Sequence, residues 1–579
     1  MTQNQSAPDA GTQAIIAPRD GRSYVRGRTD IPLSDRTIPQ FLGDTVARWP
    51  DRPAVVFREQ GVHWSWREFA AQVDALAAGL LTLGIVKGDR VGIWSPNRSE
   101  WLVTQFATAR IGAILVNINP AYRIAELEYA LNKVGCRALI AAEQFKTSRY
   151  LEMLESIAPE LASAPAGNLK AARLPHLQIV IRLGGTQSAG MLNYETVVQC
   201  GGAGDFARLA EIDASLDCHD PINIQFTSGT TGQPKGATLT HHNIVNTGRF
   251  IAQAMRLSQR DSLCIPVPLY HCFGMVLAVL ACVAEGATMV FPSEAFDPVA
   301  TLRAVSEEQC TALHGVPTMF IAELDHPDFE RFDLSHLRTG IMAGSPCPIE
   351  TMKRVVSKMN MKEVTIAYGM TETSPVSFQS STTDPLEKRV TTVGQIQPHL
   401  EVKLIDAIGE IVPVGEMGEL CTRGYSVMQG YWGDEAQTRA AIVDGWMHTG
   451  DLATLDADGY CNIVGRVKDM LIRGGENVYP REIEEYLFRH PKVQSVQVFG
   501  VPDPKYGEEV CAWIVLKPGM SATENEIRHF CEGQIAHYKI PRYVRFVEEL
   551  PMTVTGKAQK FVMREKMIAE LKLEVGQTA

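Results

Sequence analysis

Residues 89–142 read DRVGIWSPNRSEWLVTQFATARIGAILVNINPAYRIAELEYALNKVGCRALIAA. Three short apolar runs, DRVGIW, GAILVNINP and ALIAA, are separated by two stretches with helical spacing, Glu100–Ile111 and AELEYALNKVG. Strand–helix–strand alternation of this kind predicts a parallel sheet with helices on its faces. Just upstream, FAAQVDALAAGLLTLG (Phe69–Gly84) predicts a helix that stops at glycine. The alternation resumes in TMVFPSE, CTALHGVPTMF, LRTGIMAGS and EVTIAYG. The fold class expected is α/β, with parallel-rich sheets.

A chain of 579 residues is too long for one hydrophobic core, so two or more domains are expected. After about Val393 the sequence turns to short strands with glycine turns (EVKLID, GELCTRG, GYW, DGYCNIVG), which predicts a small β-rich subdomain over 393–466. Beyond it, helices near Pro480–Arg489 and Thr523–Gly533 and strands VQSVQVFGV, EVCAWIVL and YVRFV predict a separate small α+β domain. The division expected is an N-terminal extension (1–36), a large domain (37–466) and a C-terminal domain (467–579). The polar stretch 159–217 supports no firm assignment.

The net charge of −11 argues against a surface devoted to nucleic acid. The longest apolar run, MVLAVLACVA (Met275–Ala284), is too short to span a bilayer and predicts a buried helix. The first twenty residues have no continuous apolar core, so no secretory signal is expected. Twelve cysteines show neither C-x-x-C pairs nor zinc-type Cys/His spacing, which predicts reduced thiols and a cytoplasmic protein.

Five segments carry chemistry. After the apolar run INIQF comes TSGTTGQPKG (Thr227–Gly236), whose glycines free backbone N–H groups and whose hydroxyls add donors for a polyphosphate. It does not fit G-x-x-x-x-G-K-[ST], because Pro234 interrupts the spacing and Gly236 follows Lys235. AYGMTETSP (Ala367–Pro375) offers Tyr368 to stack on a base, Thr371 to bond a phosphate and Glu372 as a hard oxygen donor for Mg²⁺. DGWMHTGDLA places Asp451 after a Thr-Gly turn, where a carboxylate accepts bonds from vicinal hydroxyls. GRVKDMLIRGGENVYPREIE holds Arg466, Lys468 and a glycine pair, and PMTVTGKAQK presents Lys557 on a Thr-Gly turn.

In this order and at these separations, the segments resemble the AMP-forming adenylate superfamily of acyl-CoA synthetases, nonribosomal adenylation domains and firefly-type luciferases. The resemblance runs from about Thr37 to Lys560, and PLYHCFG, AYGMTETSP and IRGGENVYPREIEEYL look most like medium-chain fatty-acyl-CoA synthetases. It implies a carboxylate attacking the α-phosphate of ATP, then coenzyme A displacing AMP, with Mg²⁺ as cofactor. It further implies a mobile C-terminal domain, and a monomer or homodimer.

By the same resemblance, Thr227, Ser228, Gly229, Thr230, Thr231, Gly232, Gln233, Pro234 and Lys235 wrap the outer phosphates. Thr371 and Glu372 lie at the phosphates and metal, with Tyr368 and Gly369 against adenine. Gly344 and Ser345 line the adenine and acyl pocket, and Asp451 holds the ribose with Arg466 assisting. Lys557 bridges the substrate carboxylate and the α-phosphate, while His271 sits beside the acyl pocket. Lys468 marks a hinge, about which Gly474, Gly475 and Glu476 replace Lys557 for the second half-reaction. An aryl or other carboxylic acid:CoA ligase is the main alternative. A non-catalytic nucleotide-binding scaffold is disfavoured by intact Lys557, Glu372, Asp451 and Arg466.

Overall fold

A computed structural model of the chain describes residues 16–227, 234–345, 347–473, 476–553 and 556–573. The tip of the Gly/Thr loop (228–233) and the glycine pair at 474–475 fall outside that set.

The opening stretch forms strands Arg90–Trp94, Ile114–Asn117 and Ala138–Ala141 joined by helices Ser99–Arg110 and Ile124–Val134. The strands pair in parallel, with Arg90–Trp94 between the other two. They belong to an eight-stranded sheet that continues through Pro221–Thr227 to the antiparallel strands Lys235–Thr240 and Gly430–Tyr431. Helix Ser99–Arg110 is buried at every residue but its last. A helix buried all round is packed on several sides rather than facing solvent.

A second sheet of nine strands has a parallel centre built from Glu363–Tyr368, Thr339–Ala343, Ala312–Leu313, Ser262–Cys264, Thr288–Phe291 and Pro53–Phe57. The run after Gly274 is helical and buried, as its composition predicts. Its first part, Phe273–Leu280, is a π-helix that passes into the α-helix Ala281–Glu285. Periodicity does not reveal that geometry, which is rare and concentrated at functional sites.

The β-rich region consists of Leu400–Ile405, Gly418–Gly424, Trp446–Leu455 and Cys461–Arg466 as an antiparallel sheet. Tyr24–Arg26, near the start of the chain, adds an edge strand to it. The C-terminal region pairs Val493–Asp503 with Gly507–Leu516, and Tyr543–Phe546 lies parallel to the latter. Helices Pro480–Leu487 and Glu524–Cys531 appear where expected, and a final helix, Lys560–Leu571, was not foreseen. Its apolar face is thin, with only Met563 and Met567 buried. This region has its own core around Ile483, Val496, Val510 and Ile527. Among the described residues no helix is long and apolar enough to cross a membrane.

His314 bonds the nine-stranded sheet to the π-helix. Its Nδ1 accepts from the Ile341 N–H at 3.2 Å, so Nε2 carries the proton and donates to the Leu277 carbonyl, also at 3.2 Å. Burial holds its pKa down at about 4, because a charged ring would be desolvated. The unfolded chain takes up that proton from 6.5 downward, so this histidine's stabilising effect is complete above 6.5 and falls as pH drops toward 4. Glu323, whose carboxyl burial pushes well above its ordinary range, has the opposite dependence, so the histidine is isolated by comparing variants. Denaturant midpoints measured between pH 7 and 4.5 should fall less steeply for His314→Gln than for wild type. The difference should approach ~1.4 kcal/mol per pH unit. Equal slopes would contradict the neutral-histidine assignment.

Candidate active site

The strand Pro221–Thr227 alternates strictly: Ile222, Ile224 and Phe226 face one way, Asn223, Gln225 and Thr227 the other. Buried amides need partners. Asn223 Nδ2 donates to Asn117 Oδ1 at 3.0 Å, and Gln225 Nε2 donates to Asn223 Oδ1 at 3.0 Å. The Cys272 thiol donates to Gln225 Oε1 at 3.2 Å, and Asn117 Nδ2 bonds the Tyr270 carbonyl at 2.8 Å. This polar ladder fixes PLYHCFG against the strand whose last residue is Thr227.

Thr227 and Lys235 are register partners in an antiparallel pair, so the Gly/Thr loop closes a hairpin and does not open a helix. The spacing that failed the G-x-x-x-x-G-K-[ST] pattern therefore has a structural cause. Lys235 Nζ donates to Gln437 Oε1 at 2.7 Å and lies 5.0 Å from the Tyr431 ring centroid. Tyr129 donates to the Pro234 carbonyl at 3.2 Å.

Glu372 lies on the short 3-10 turn Thr371–Thr373 and is buried, as is Thr371. Its Oε1 accepts from Thr227 Oγ1 at 3.2 Å and from Tyr431 OH at 2.9 Å. Both bonds from described residues fall on Oε1, which leaves Oε2 for a hard cation. Gly369 precedes the turn because a Cβ there would stand 1.7 Å from the Pro375 carbonyl oxygen.

Asp451 owes its place to a β-bulge. Between the pairs Glu419↔Leu452 and Cys421↔His448, strand Trp446–Leu455 carries Thr449, Gly450 and Asp451 opposite the single residue Leu420. Gly450 takes φ +69°, a left-handed conformation suited to glycine. Asp451 is buried; its Oδ2 accepts from Tyr368 OH at 2.6 Å and its Oδ1 from Arg466 Nε at 3.1 Å. Each oxygen keeps a further lone pair for a ligand hydroxyl. Burial, reinforced by the Asp451 charge, holds the Tyr368 phenol well above its ordinary range.

Lys557 comes to this cluster from the C-terminal region. Its ammonium lies within electrostatic range of Arg466, Glu372, Asp451 and Cys272. Burial and the Arg466 cation hold it below the ordinary lysine range, while Glu372 and Asp451 pull the other way. The preceding residue, Gly556 (φ +74°), lies so close to the GVPTMF segment that a Cβ would stand 2.8 Å from Val316 Cγ2. Gly344 packs on the other methyl of the same valine, with a built Cβ 3.1 Å from Val316 Cγ1. Ser345, next to it, is partly buried.

His271 Nδ1 accepts from the Phe273 N–H at 3.2 Å, so its Nε2 carries the proton. Burial, then the Lys557 charge, holds its pKa at about 3, and the ring is neutral at working pH. Lys468 is exposed on the turn Val467–Asp469, and Glu476 is exposed at the start of Glu476–Val478. Neither is joined to the Glu372–Asp451–Lys557 cluster by a described contact. Ser228, Gly229, Thr230, Thr231, Gly232, Gln233, Gly474 and Gly475 lie outside the described residues.

The geometry unites a buried carboxylate and a second carboxylate clamped by Tyr and Arg, with a lysine in electrostatic range, beside the hairpin strands that end at Thr227 and begin again at Lys235. Residues 42–432 match the family model described as AMP-binding enzyme, and residues 482–557 match that of the AMP-binding enzyme C-terminal domain. The chain belongs to the AMP-binding enzyme family. It is 49% identical to the medium-chain acyl-CoA ligase ACSF2, mitochondrial, of Danio rerio, across 95% of this chain and 91% of that protein. The Homo sapiens protein of the same name is 45% identical across 96% and 92%. The crystal structure of the anthranilate CoA ligase AuaEII in complex with anthranoyl-AMP superimposes with a TM-score of 0.83 at 27% identity, covering 94% and 99% of the two chains.

Three residues of this AMP-binding enzyme's site escaped sequence reading. Tyr431 lies in GYW, which reads as a plain strand, and Gln437 follows it in an unmarked polar helix. Cys272 sits inside PLYHCFG, but its link to Gln225 spans 47 residues. Tyr431→Phe removes one hydroxyl from a buried carboxylate and should cost about 1.5–3 kcal/mol. Denaturant unfolding in the absence of ligand measures it. Thr227→Val acts on the same oxygen, so the double variant should depart from additivity. An unchanged midpoint for Tyr431→Phe would show that its bond to Glu372 contributes nothing.

Proposed function

We propose that this AMP-binding enzyme is an AMP-forming carboxylic acid:CoA ligase and that its acid is a medium-chain fatty acid. The observation that carries the reading is the turn of Lys557, seated through Gly556 against Val316, which brings the ammonium within electrostatic range of Glu372, Asp451 and Arg466. A cation in that place stabilises the charge that grows on an α-phosphate under attack.

In the first half-reaction a carboxylate oxygen of the acid attacks the α-phosphorus of ATP, and the bond to pyrophosphate breaks. Thr227 and the hairpin loop bind the outer phosphates, and Lys235 steadies the outgoing pyrophosphate. Asp451 orients the ribose, Tyr368 and Gly369 border the base, and Gly344 and Ser345 border the acyl–adenine junction. Glu372 is the residue that would hold Mg²⁺, which supplies charge neutralisation to the phosphates. His271, neutral, offers an N–H donor at the mouth of the acyl pocket rather than a base. Lys557 holds the acid and the α-phosphate together as a point charge.

In the second half-reaction the coenzyme A thiolate attacks the acyl carbon, the thiol proton passes to solvent and AMP leaves. Lys557 is far in sequence from every other site residue of the large domain, which supports its withdrawal about Lys468 and replacement by Glu476 and the glycine pair. The medium-chain assignment draws on the names of the relatives and on the apolar, fully buried run Phe273–Leu280 that follows PLYHC. The likeness to an anthranilate ligase supports an aryl acid as the second reading. Free cysteines, twelve in all and only Cys200 exposed, support a reducing compartment such as the cytoplasm.

Pyrophosphate release across fatty acids of graded length and aryl acids, with and without coenzyme A, tests the reading. No acid-dependent release would end it, and release with aryl acids alone would select the second reading. Lys557→Ala should cut adenylation by roughly 10²–10³-fold, as does removal of one preorganised donor to a developing charge. Thioester formation from supplied acyl-AMP should survive, and equal loss of both would contradict the assigned role. Gly556→Ala, strained by its φ and by Val316, should lower adenylation by about 10-fold, with partial rescue by Val316→Ala.

A further inference from the structure

Outside the cluster just described, three metal-ligand side chains meet on the β-rich sheet. Cys421 and His448 are direct cross-strand partners, and Glu419 precedes Cys421 by two positions on the same face. His448 Nδ1 lies 3.6 Å from Cys421 Sγ and 3.2 Å from Glu419 Oε2. All three ligand atoms fall within 4.8 Å of one another. In a tetrahedral zinc site with ordinary bond lengths, S···N and N···O separations come out at about 3.6 and about 3.4 Å. The spacing is therefore close to that of a metal-bound triad before any metal is added.

The surroundings suit one charge state. Glu419 Oε1 accepts from the Gly450 N–H at 3.2 Å, which orients the carboxylate and leaves Oε2 toward His448. Lys403, opposite Cys421, places its ammonium 4.7 Å from the Trp446 ring centroid, and Arg423 lies 4.4 Å from the same ring and bonds Glu401. These cations would repel a bare dication. A dication with one carboxylate and one thiolate is neutral and meets no such barrier. Cys421 is fully buried, whereas the Glu419 and His448 side chains are 27% and 29% exposed and give the site its opening to solvent.

We propose that Glu419, Cys421 and His448 form a binding site for a zinc-type divalent cation, with water as fourth ligand, clipping the two strands at the bulge that carries Asp451. Binding replaces the S–H bond of Cys421 by a metal–thiolate bond and releases one proton to solvent, so affinity rises with pH. Softness selects the ion: a thiolate, an imidazole and one carboxylate favour Zn²⁺ over Mg²⁺ or Ca²⁺. The spacing escapes sequence motifs because the cysteine and histidine are 27 residues apart and meet only through strand pairing.

The test uses the full chain, stripped with chelator and free of substrates, so its failure leaves the ligase reading untouched. Titration with Co²⁺ should give one saturable equivalent with a thiolate charge-transfer band and tetrahedral visible bands, and Zn²⁺ should displace it. Cys421→Ser should abolish the charge-transfer band. Glu419→Gln, nearly isosteric, should weaken Zn²⁺ binding by at least the roughly 10–100-fold that loss of an outer-shell partner costs. It decides the matter if Cys421→Ser folds poorly. Cys218→Ser, in the rival group Asp217–Cys218–His219, should change neither. A band that survives Cys421→Ser or vanishes in Cys218→Ser, undiminished affinity in Glu419→Gln, or absence of saturable uptake would each overturn the proposal.

Discussion

A carboxylate taken out of water must be given hydrogen-bond donors where it lands, or its burial costs several kcal/mol. Glu372 is such a group, only 5% exposed, and its donors come from elsewhere in the chain. It follows the last parallel strand of the nine-stranded sheet, whereas Thr227 and Tyr431 belong to the eight-stranded one. The two hydroxyls therefore tie the sheets together at one oxygen atom. Around that junction lie the loop hairpin, the Tyr431 ring under Lys235 and the ladder that runs back through Gln225 to Asn117. The same constraint that holds the sheets in register leaves one carboxylate oxygen for a cation.

Much of this was legible in the sequence, for reasons that differ by feature. The strands and helices of 89–142 were readable because both faces of a parallel sheet are covered, so each strand is a continuous apolar run. Glu372, Asp451 and Lys557 sit among turn-forming glycines and threonines, but those neighbours alone do not mark them; only the order and separation of the segments, through their resemblance to a known family, singled them out. The π-helix was not readable, since Phe273–Leu280 is buried on every side and leaves no periodicity to measure. Tyr431 was not readable either. Nothing local distinguishes a strand tyrosine that bonds a buried carboxylate from one that packs.

The β-bulge at Thr449–Gly450–Asp451 shows how a motif encodes position as well as chemistry. In a regular ladder Asp451 would keep the alternation that begins at Trp446. The extra residues break it and let Asp451 turn to Tyr368 and Arg466, while His448 stays beside Cys421 and Glu419. Gly450 serves both sides: its φ permits the bulge and its N–H holds Glu419. A change on the Glu419 face would thus be transmitted to the Asp451 face through one peptide unit.

The C-terminal region meets the rest of the chain through contacts that include one glycine turn and several polar groups. Gly556 rests on Val316, Arg481 donates to the Ile463 carbonyl, and Gln494 reaches Asp325 at 3.4 Å. Its apolar side chains are largely spent on its own core, around Ile483 and Val510, instead of on the interface. Polar groups at such contacts can find water on separation. Yet it delivers an ammonium into a cluster with two carboxylates. A charge carried on a region with its own core fits the proposed withdrawal of Lys557 between the two half-reactions.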